Sequence, residues 1–231
     1  MTALASTLKQ AIDAWVEQQR CSPLIELARQ GGLTPRAVAL YLTSLQELFE
    51  QSQLNLKAAW HSAEAQGHAA LAEYFRHKVS EEHGHERWAA SDLQKMPGSA
   101  AQGLAPAPAS QRLAQLQQQL LARHPMCFVV YVVWAEYLTV LLGDEWLDAL
   151  AVCGYERSAV SAVSNHVEAD RAHATAGFEV LDELWGGEPG LDQLLDGLRR
   201  AQRTFEEFCN EICQVAQLDT TTCTPLTAAR G

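Results

Sequence analysis

The sequence predicts an all-α protein, a single-domain bundle of about seven to nine helices. Three observations carry that prediction. Apolar residues recur at three- and four-residue intervals through nearly the whole chain, the period of a helix with one buried face. No alternating run closed by a hairpin turn interrupts them, and no fixed-period repeat marks a solenoid. Finally, 231 residues that are 48% hydrophobic and 19% charged suffice for one sizeable core, and the composition is that of a soluble globular protein.

The opening segment, "MTALASTLKQAIDAWVEQQR", interrupts its apolar residues with Lys, Asp and Glu. It has neither the apolar core of a signal peptide nor the basic, acid-free character of a transit peptide. The six cysteines, at 21, 127, 153, 209, 213 and 223, form no C-x-x-C pair. Without a secretory signal they read as reduced thiols, and the expected location is cytoplasmic. Cys209 and Cys213, four apart, could make a soft metal pair but read first as packing.

"TPRAVALYLTSLQELFEQ" begins a helix with Thr34 as N-cap and Pro35 at the first helical position, where a missing N–H costs nothing. "LAEYFRHKVSEEHGHERWAASDLQKM" reads as one helix running to a stop at Pro97-Gly98. The linker that follows, "PGSAAQGLAPAPAS", is the only low-complexity stretch, and about 97–110 is expected on the surface rather than between two domains. Neither flanking half can bury its apolar stripe alone. Three further helical segments follow, "QRLAQLQQQLLARH", the stretch around Glu136, and "ERSAVSAVSNHVEADRAHATAGFEVLDELW". The last, "GLDQLLDGLRRAQRTFEEFCNEICQVAQ", has an apolar face that could form a homodimer seam. The domain is expected over 1–218, with a Thr-rich, loose tail over 219–231.

Charge excludes some partners. With 28 acidic against 17 basic residues the formal net charge is −11, and no Lys/Arg run occurs, so nucleic acid is not an expected partner. "MCFVVYVVWAEYLTVLLG", Met126 to Gly143, approaches membrane-spanning length but carries Glu136 at its middle. It reads as a fully buried core helix, and no membrane partner is expected.

That glutamate is one of three polar anomalies. No other charged residue lies between His124 and Asp144, and an ionised carboxylate buried there needs a cation, a metal or a proton. In "NHVEADRAHA", His166, Asp170 and His173 fall within an arc of roughly 60° on a helix. In "SEEHGHERWAASDL", Glu82 and His85 share a face three residues apart, whereas His83 points nearly opposite. Singly, these could be a surface pair, a solvated face and a buried partner for an arginine. Together they offer three imidazoles and three carboxylates, a mixed N/O set suited to iron or manganese. A ferritin-like bundle would need Glu-x-x-His on two helices, and only Glu82 to His85 fits that form.

The ordered set resembles the haem-oxygenase-like di-iron oxidases and oxygenases. The resemblance rests on Glu82-x-x-His85 in "EEHGHERW", a lone Glu136 about fifty residues later and "HVEADRAH" about thirty further on. It implies a haem-oxygenase-like bundle in which Glu82, His85, Glu136, His166, Asp170 and His173 hold two Fe(II) ions per chain. Dioxygen would be the co-substrate and an external electron donor could be required. The expected substrate is a small molecule (an amine, amino acid or fatty-acid-like compound) undergoing N-oxygenation, oxidative cleavage or desaturation. Family members differ in the position of the first glutamate, so Glu81 or Glu73 could replace Glu82. Tyr137, after Glu136, is bulkier than the small residue expected there. Tyr131, Trp134, Tyr137 and Phe178 are candidate pocket walls, Glu86 and Glu168 candidate partners of the imidazoles, and Arg171 and Arg76 candidate substrate anchors. The alternatives are a metal-independent enzyme similar to the thiaminase-like or pyrroloquinoline-quinone-synthase-like branches, and a non-catalytic iron-binding protein. Haem oxygenase itself is disfavoured because the first sixty residues contain no histidine.

Overall fold

The computed structural model describes residues 3–222. Nine α-helices and one 3-10 turn make up its regular structure, with no strand among the described residues. They are α1 (Ala3–Gln19), α2 (Pro23–Arg29), α3 (Pro35–Ala65), α4 (Ala69–Glu81), α5 (Glu86–Lys95), α6 (Pro108–Arg123), α7 (Pro125–Val152), α8 (Ser161–Leu184) and α9 (Leu191–Thr222). The expected loose tail begins too early, since α9 continues through 219–222. The rest of that tail, with Cys223, lies outside the described residues.

α7 sits at the centre because it has no polar face to turn outward. It packs against α8, α9, α6, α2 and α1, while α3 packs against α4, α5, α6 and α9. By length and hydropathy α7 would cross a membrane, yet 67% of its apolar window is buried by the surrounding helices. Thr34 caps α3 by accepting from the Ala37 N–H at 3.2 Å. His124 does the same for α7, its Nδ1 accepting from the Met126 N–H at 3.1 Å, and Pro125 follows at the first helical position.

Two local features place the site. The segment expected as one helix over 71–96 is broken at 82–85, where Gly84 adopts φ +89°, a backbone region closed to most side chains. Glu82 and His85 therefore belong to a turn between α4 and α5, not to one helical face. The second feature is the start of α8, whose Ser- and Val-rich sequence has weak helix propensity. It is held by Asp92 of α5, fully buried, which accepts from Ser161 Oγ and from the Ala162 N–H, both at 2.7 Å. A carboxylate from another helix thus supplies the N-terminal partner that α8 lacks locally.

Candidate metal centre

The turn at 82–85, the middle of α7 and the inward face of α8 converge in the bundle core. Glu82 Oε2 lies 2.8 Å from His85 Nδ1, His85 Nδ1 lies 3.0 Å from His166 Nε2, and His166 Nε2 lies 3.7 Å from Glu82 Oε2. Two atoms each about 2.1 Å from one ion are about 3.0 Å apart at a right angle and about 3.4 Å apart at a tetrahedral angle. One oxygen and two nitrogens thus lie close enough together for one ion to reach all three.

Their surroundings fix them there. His166 Nδ1 is 2.7 Å from the Ala162 carbonyl, an arrangement that puts the proton on Nδ1 and leaves the Nε2 lone pair facing the cluster. Phe49 stacks on His166 with ring centroids 4.4 Å apart, and Trp88 stacks on His85 at 4.1 Å. Burial opposes the Glu82 charge, but His166 and His85 outweigh it and hold the carboxyl below its ordinary range. The same carboxylate overcomes burial at His166 and raises its pKa.

A second group adjoins the first. Glu81, Glu136 and His173 each present one ligand atom, all within 4.8 Å of one another. Glu81 Oε1 is 3.3 Å from His173 Nε2, and His173 Nδ1 is 3.4 Å from Asp170 Oδ1. Asp170 also lines a cavity beside Glu82, Glu136 and His166. Burial pushes Glu136 up to about 7 despite the neighbouring Lys78 ammonium. Its Oε2 is buried with no hydrogen-bond partner among the described residues, while its Oε1 accepts from Lys78.

All six residues singled out from the sequence are therefore in one place, divided as Glu82, His85 and His166 on one side and Glu136 and His173 on the other, with Asp170 beside His173. Glu81 joins them. It does not replace Glu82, because the helix end and the turn send consecutive glutamates to different groups. Glu73 does not take part; it is exposed and pairs with Arg76 at 2.5 Å. Glu168 is exposed and faces Arg171, so it orients no imidazole. Glu86 faces Arg87 at 3.6 Å and likewise orients no imidazole in this structure.

Lys78 was not anticipated. Only 5% exposed, it donates from Nζ to Glu136 Oε1 at 2.7 Å. Its Nζ also lies 2.7 Å from Glu81 Oε2, an ion pair without a directed hydrogen bond. Burial lowers its pKa, but Glu136 and Glu81 more than offset this and hold the ammonium protonated. The signal was present in the spacing. Lys78 continues the buried stripe Leu71, Tyr74, Phe75 on α4, a place where a charge has no business without a partner.

An apolar cavity of about 250 Å³ reaches the centre, with Glu82, Glu136, His166 and Asp170 at one part of its wall. Tyr131 and Trp134 line it as expected. Tyr137 and Phe178 do not: they pack edge to face with each other, and Tyr137 donates to Asp13 at 2.8 Å on α1. Also on the wall, Gln117 Nε2 donates to Tyr131 Oη at 3.1 Å, and Asn55 Nδ2 donates to Gln117 Oε1 at 2.9 Å. Neither Arg171 nor Arg76 is a substrate anchor, since both are engaged on the surface, with Asp144 and Glu73 respectively.

The architecture is that of the haem-oxygenase-like fold. A domain of unknown function with that fold from Shewanella denitrificans superposes with a TM-score of 0.80 at 19% identity, covering 97% of this chain and 98% of that one. A CADD-like protein of unknown function from Nostoc punctiforme gives 0.71 at 14% identity, covering 92% and 98%. A TenA homologue from Pseudomonas syringae pv. tomato gives 0.69 at 15% identity, covering 92% and 93%. No family model matches the sequence, and no curated protein does either. At these identities the likeness concerns the fold, and the chemistry must be argued from the site.

Proposed function

We propose that this protein is a non-haem, iron-dependent oxidoreductase that uses dioxygen to oxidise a small organic substrate held in the apolar cavity. The observation that carries the reading is the convergence of Glu82 Oε2, His85 Nδ1 and His166 Nε2 within 3.7 Å, with Glu82 and His166 on the wall of that cavity. A mixed carboxylate and imidazole set suits iron or manganese better than a closed structural zinc site, which more often recruits thiolates. Iron bound by these three groups would supply dioxygen binding and electron transfer.

The chain's own residues do the rest. The Ala162 carbonyl and the Phe49 and Trp88 rings hold the two imidazoles in orientation, which limits the reorganisation needed when an ion binds. The cavity wall carries no lysine or arginine among its lining residues, so it accepts the uncharged part of the substrate, and the polar end belongs at the centre. The N-oxygenation, oxidative cleavage and desaturation of amines, amino acids or fatty-acid-like compounds expected from the sequence all suit that polarity. A nucleophilic-cysteine reaction does not suit it. Cys209 lines the cavity, but burial pushes its thiol up to about 12 with Glu206 adding to the effect, and a thiolate is what such a reaction needs.

The test is anaerobic loading with Fe(II), then oxygen uptake measured across a panel of amines and aliphatic compounds. Uptake that depends on substrate and is lost in His166→Ala supports the reading. Iron oxidation at the same rate without any organic compound would make the protein an iron-binding or ferroxidase protein instead.

A further inference from the structure

The second group of ligands already contains a cation. Lys78 Nζ sits between Glu136 Oε1 and Glu81 Oε2, 2.7 Å from each, and these are two of the three residues that could hold a second metal ion. The other group is different: no lysine or arginine lies within ion-pairing distance of Glu82, His85 or His166 among the described residues. We propose that the Lys78 ammonium permanently fills the second cation position, so that the centre takes one metal ion, at Glu82, His85 and His166, beside a cation built into the chain.

Three features argue that Lys78 stays when metal is supplied. Its Cα lies on the buried stripe of α4, with Leu71, Tyr74 and Phe75 preceding it on the same face, so the side chain has no short route to water. Expelling the ammonium would leave it buried without its two carboxylates, or force α4 to rotate; either is costly in a packed core. The cations it would yield to must also bind where Glu136 and Glu81 each already have one oxygen engaged. Even with Glu81, Glu82, Glu136 and Asp170 all ionised, one ammonium and one divalent ion leave only a single carboxylate charge uncompensated. A second metal is not needed to make the cluster electrostatically tolerable.

This inference rests on the metal-dependent reading above, and the test separates the two. The full chain is dialysed against Mn(II), the bound metal is counted by elemental analysis, and its electron paramagnetic resonance spectrum is recorded. The same is done with Lys78→Met, which keeps most of the stem volume, and with Lys78→Ala in case the first variant folds poorly. The expected result is one Mn(II) per chain with the hyperfine pattern of an isolated ion for the natural protein. For the variants it is two per chain with the signature of a spin-coupled pair. Two ions in the natural protein would overturn the inference while leaving the metal-dependent reading in place. One ion in the natural protein and both variants would also overturn it, because the second position would not be the lysine's. No metal in any of the three would remove the metal-dependent reading itself, and this inference with it.

Discussion

α7 and α8 carry four of the grouped residues, Glu136, His166, Asp170 and His173, so their separation governs the centre. They approach closely at Gly143, where a Cβ would stand 2.2 Å from Val167 Cγ2 and 3.4 Å from Val167 Cβ. Carbon atoms are at their best about 3.5 to 4.0 Å apart, so Gly143→Ala demands roughly 1.3 Å or more of extra room. Rotating Val167 gives little relief. Its Cγ1 already stands 3.5 Å from the new atom, and a β-branched side chain in a helix has one strongly preferred rotamer. The helices must therefore part, at a cost of about 1–3 kcal/mol for overpacking, or roughly 2–12 °C in Tm for a chain of this size. His166 adjoins Val167 in sequence, so the movement also takes its Nε2 away from His85 and Glu82. Differential scanning calorimetry and Mn(II) titration of Gly143→Ala should show both losses. Gly143→Ala/Val167→Ala should recover most of them, because the second substitution removes the clashing methyl groups. A single variant whose Tm and metal affinity match the natural protein would refute the close approach and the dependence of the centre on it.

The other predictions concern the supports of the site. Phe49→Ala or Trp88→Ala removes a ring stacked on a ligating imidazole, an interaction of about 0.5–1.5 kcal/mol; each should weaken metal binding several-fold in a titration without changing how many ions bind. Asp92→Ala removes the buried partner of Ser161 and the Ala162 N–H and should cost roughly 2 kcal/mol. Hydrogen exchange should then quicken first over 160–166, and unchanged protection there would contradict the anchoring role. Arg76→Ala and Arg171→Ala break exposed pairs and should leave metal affinity and substrate preference unchanged. Among the described cysteines only Cys21 is exposed, and burial raises the thiols of Cys127, Cys153, Cys209 and Cys213. Maleimide at neutral pH should therefore modify Cys21 well before the other four, as peptide mass mapping would show.

Much of this was legible in the sequence because helical period and ligand spacing are local properties. The all-α bundle followed from apolar spacing, and the burial of α7 from its lack of any polar face. The shared direction of His166, Asp170 and His173 followed from the 100° turn per residue. What was not legible depended on where one element meets another. Glu82 and His85 were expected together on a helix, and they do meet, but through a turn at Gly84 that the uninterrupted polar run did not announce. That turn is also why Glu81 and Glu82, adjacent in sequence, serve different groups. Tyr137 and Phe178 were expected on the cavity wall by proximity to ligands. One position beyond Glu136 is a rotation of about 100°, which turns Tyr137 toward Asp13 on α1. Lys78 escaped notice because a lysine among charged neighbours reads as solvated. Its place in the apolar stripe of α4 was the contrary sign, and only the position of Glu136 on α7 shows what it pairs with.

That Glu82, His85 and His166 form a metal site is tested most directly by locating the ion. Crystals of the natural protein grown anaerobically with Fe(II) should be measured above and below the iron absorption edge. The predicted result is an anomalous peak about 2.1 Å from Glu82 Oε2, His85 Nδ1 and His166 Nε2, absent from crystals of His166→Ala. No anomalous density within the bundle, or density only at surface carboxylates, would contradict the account.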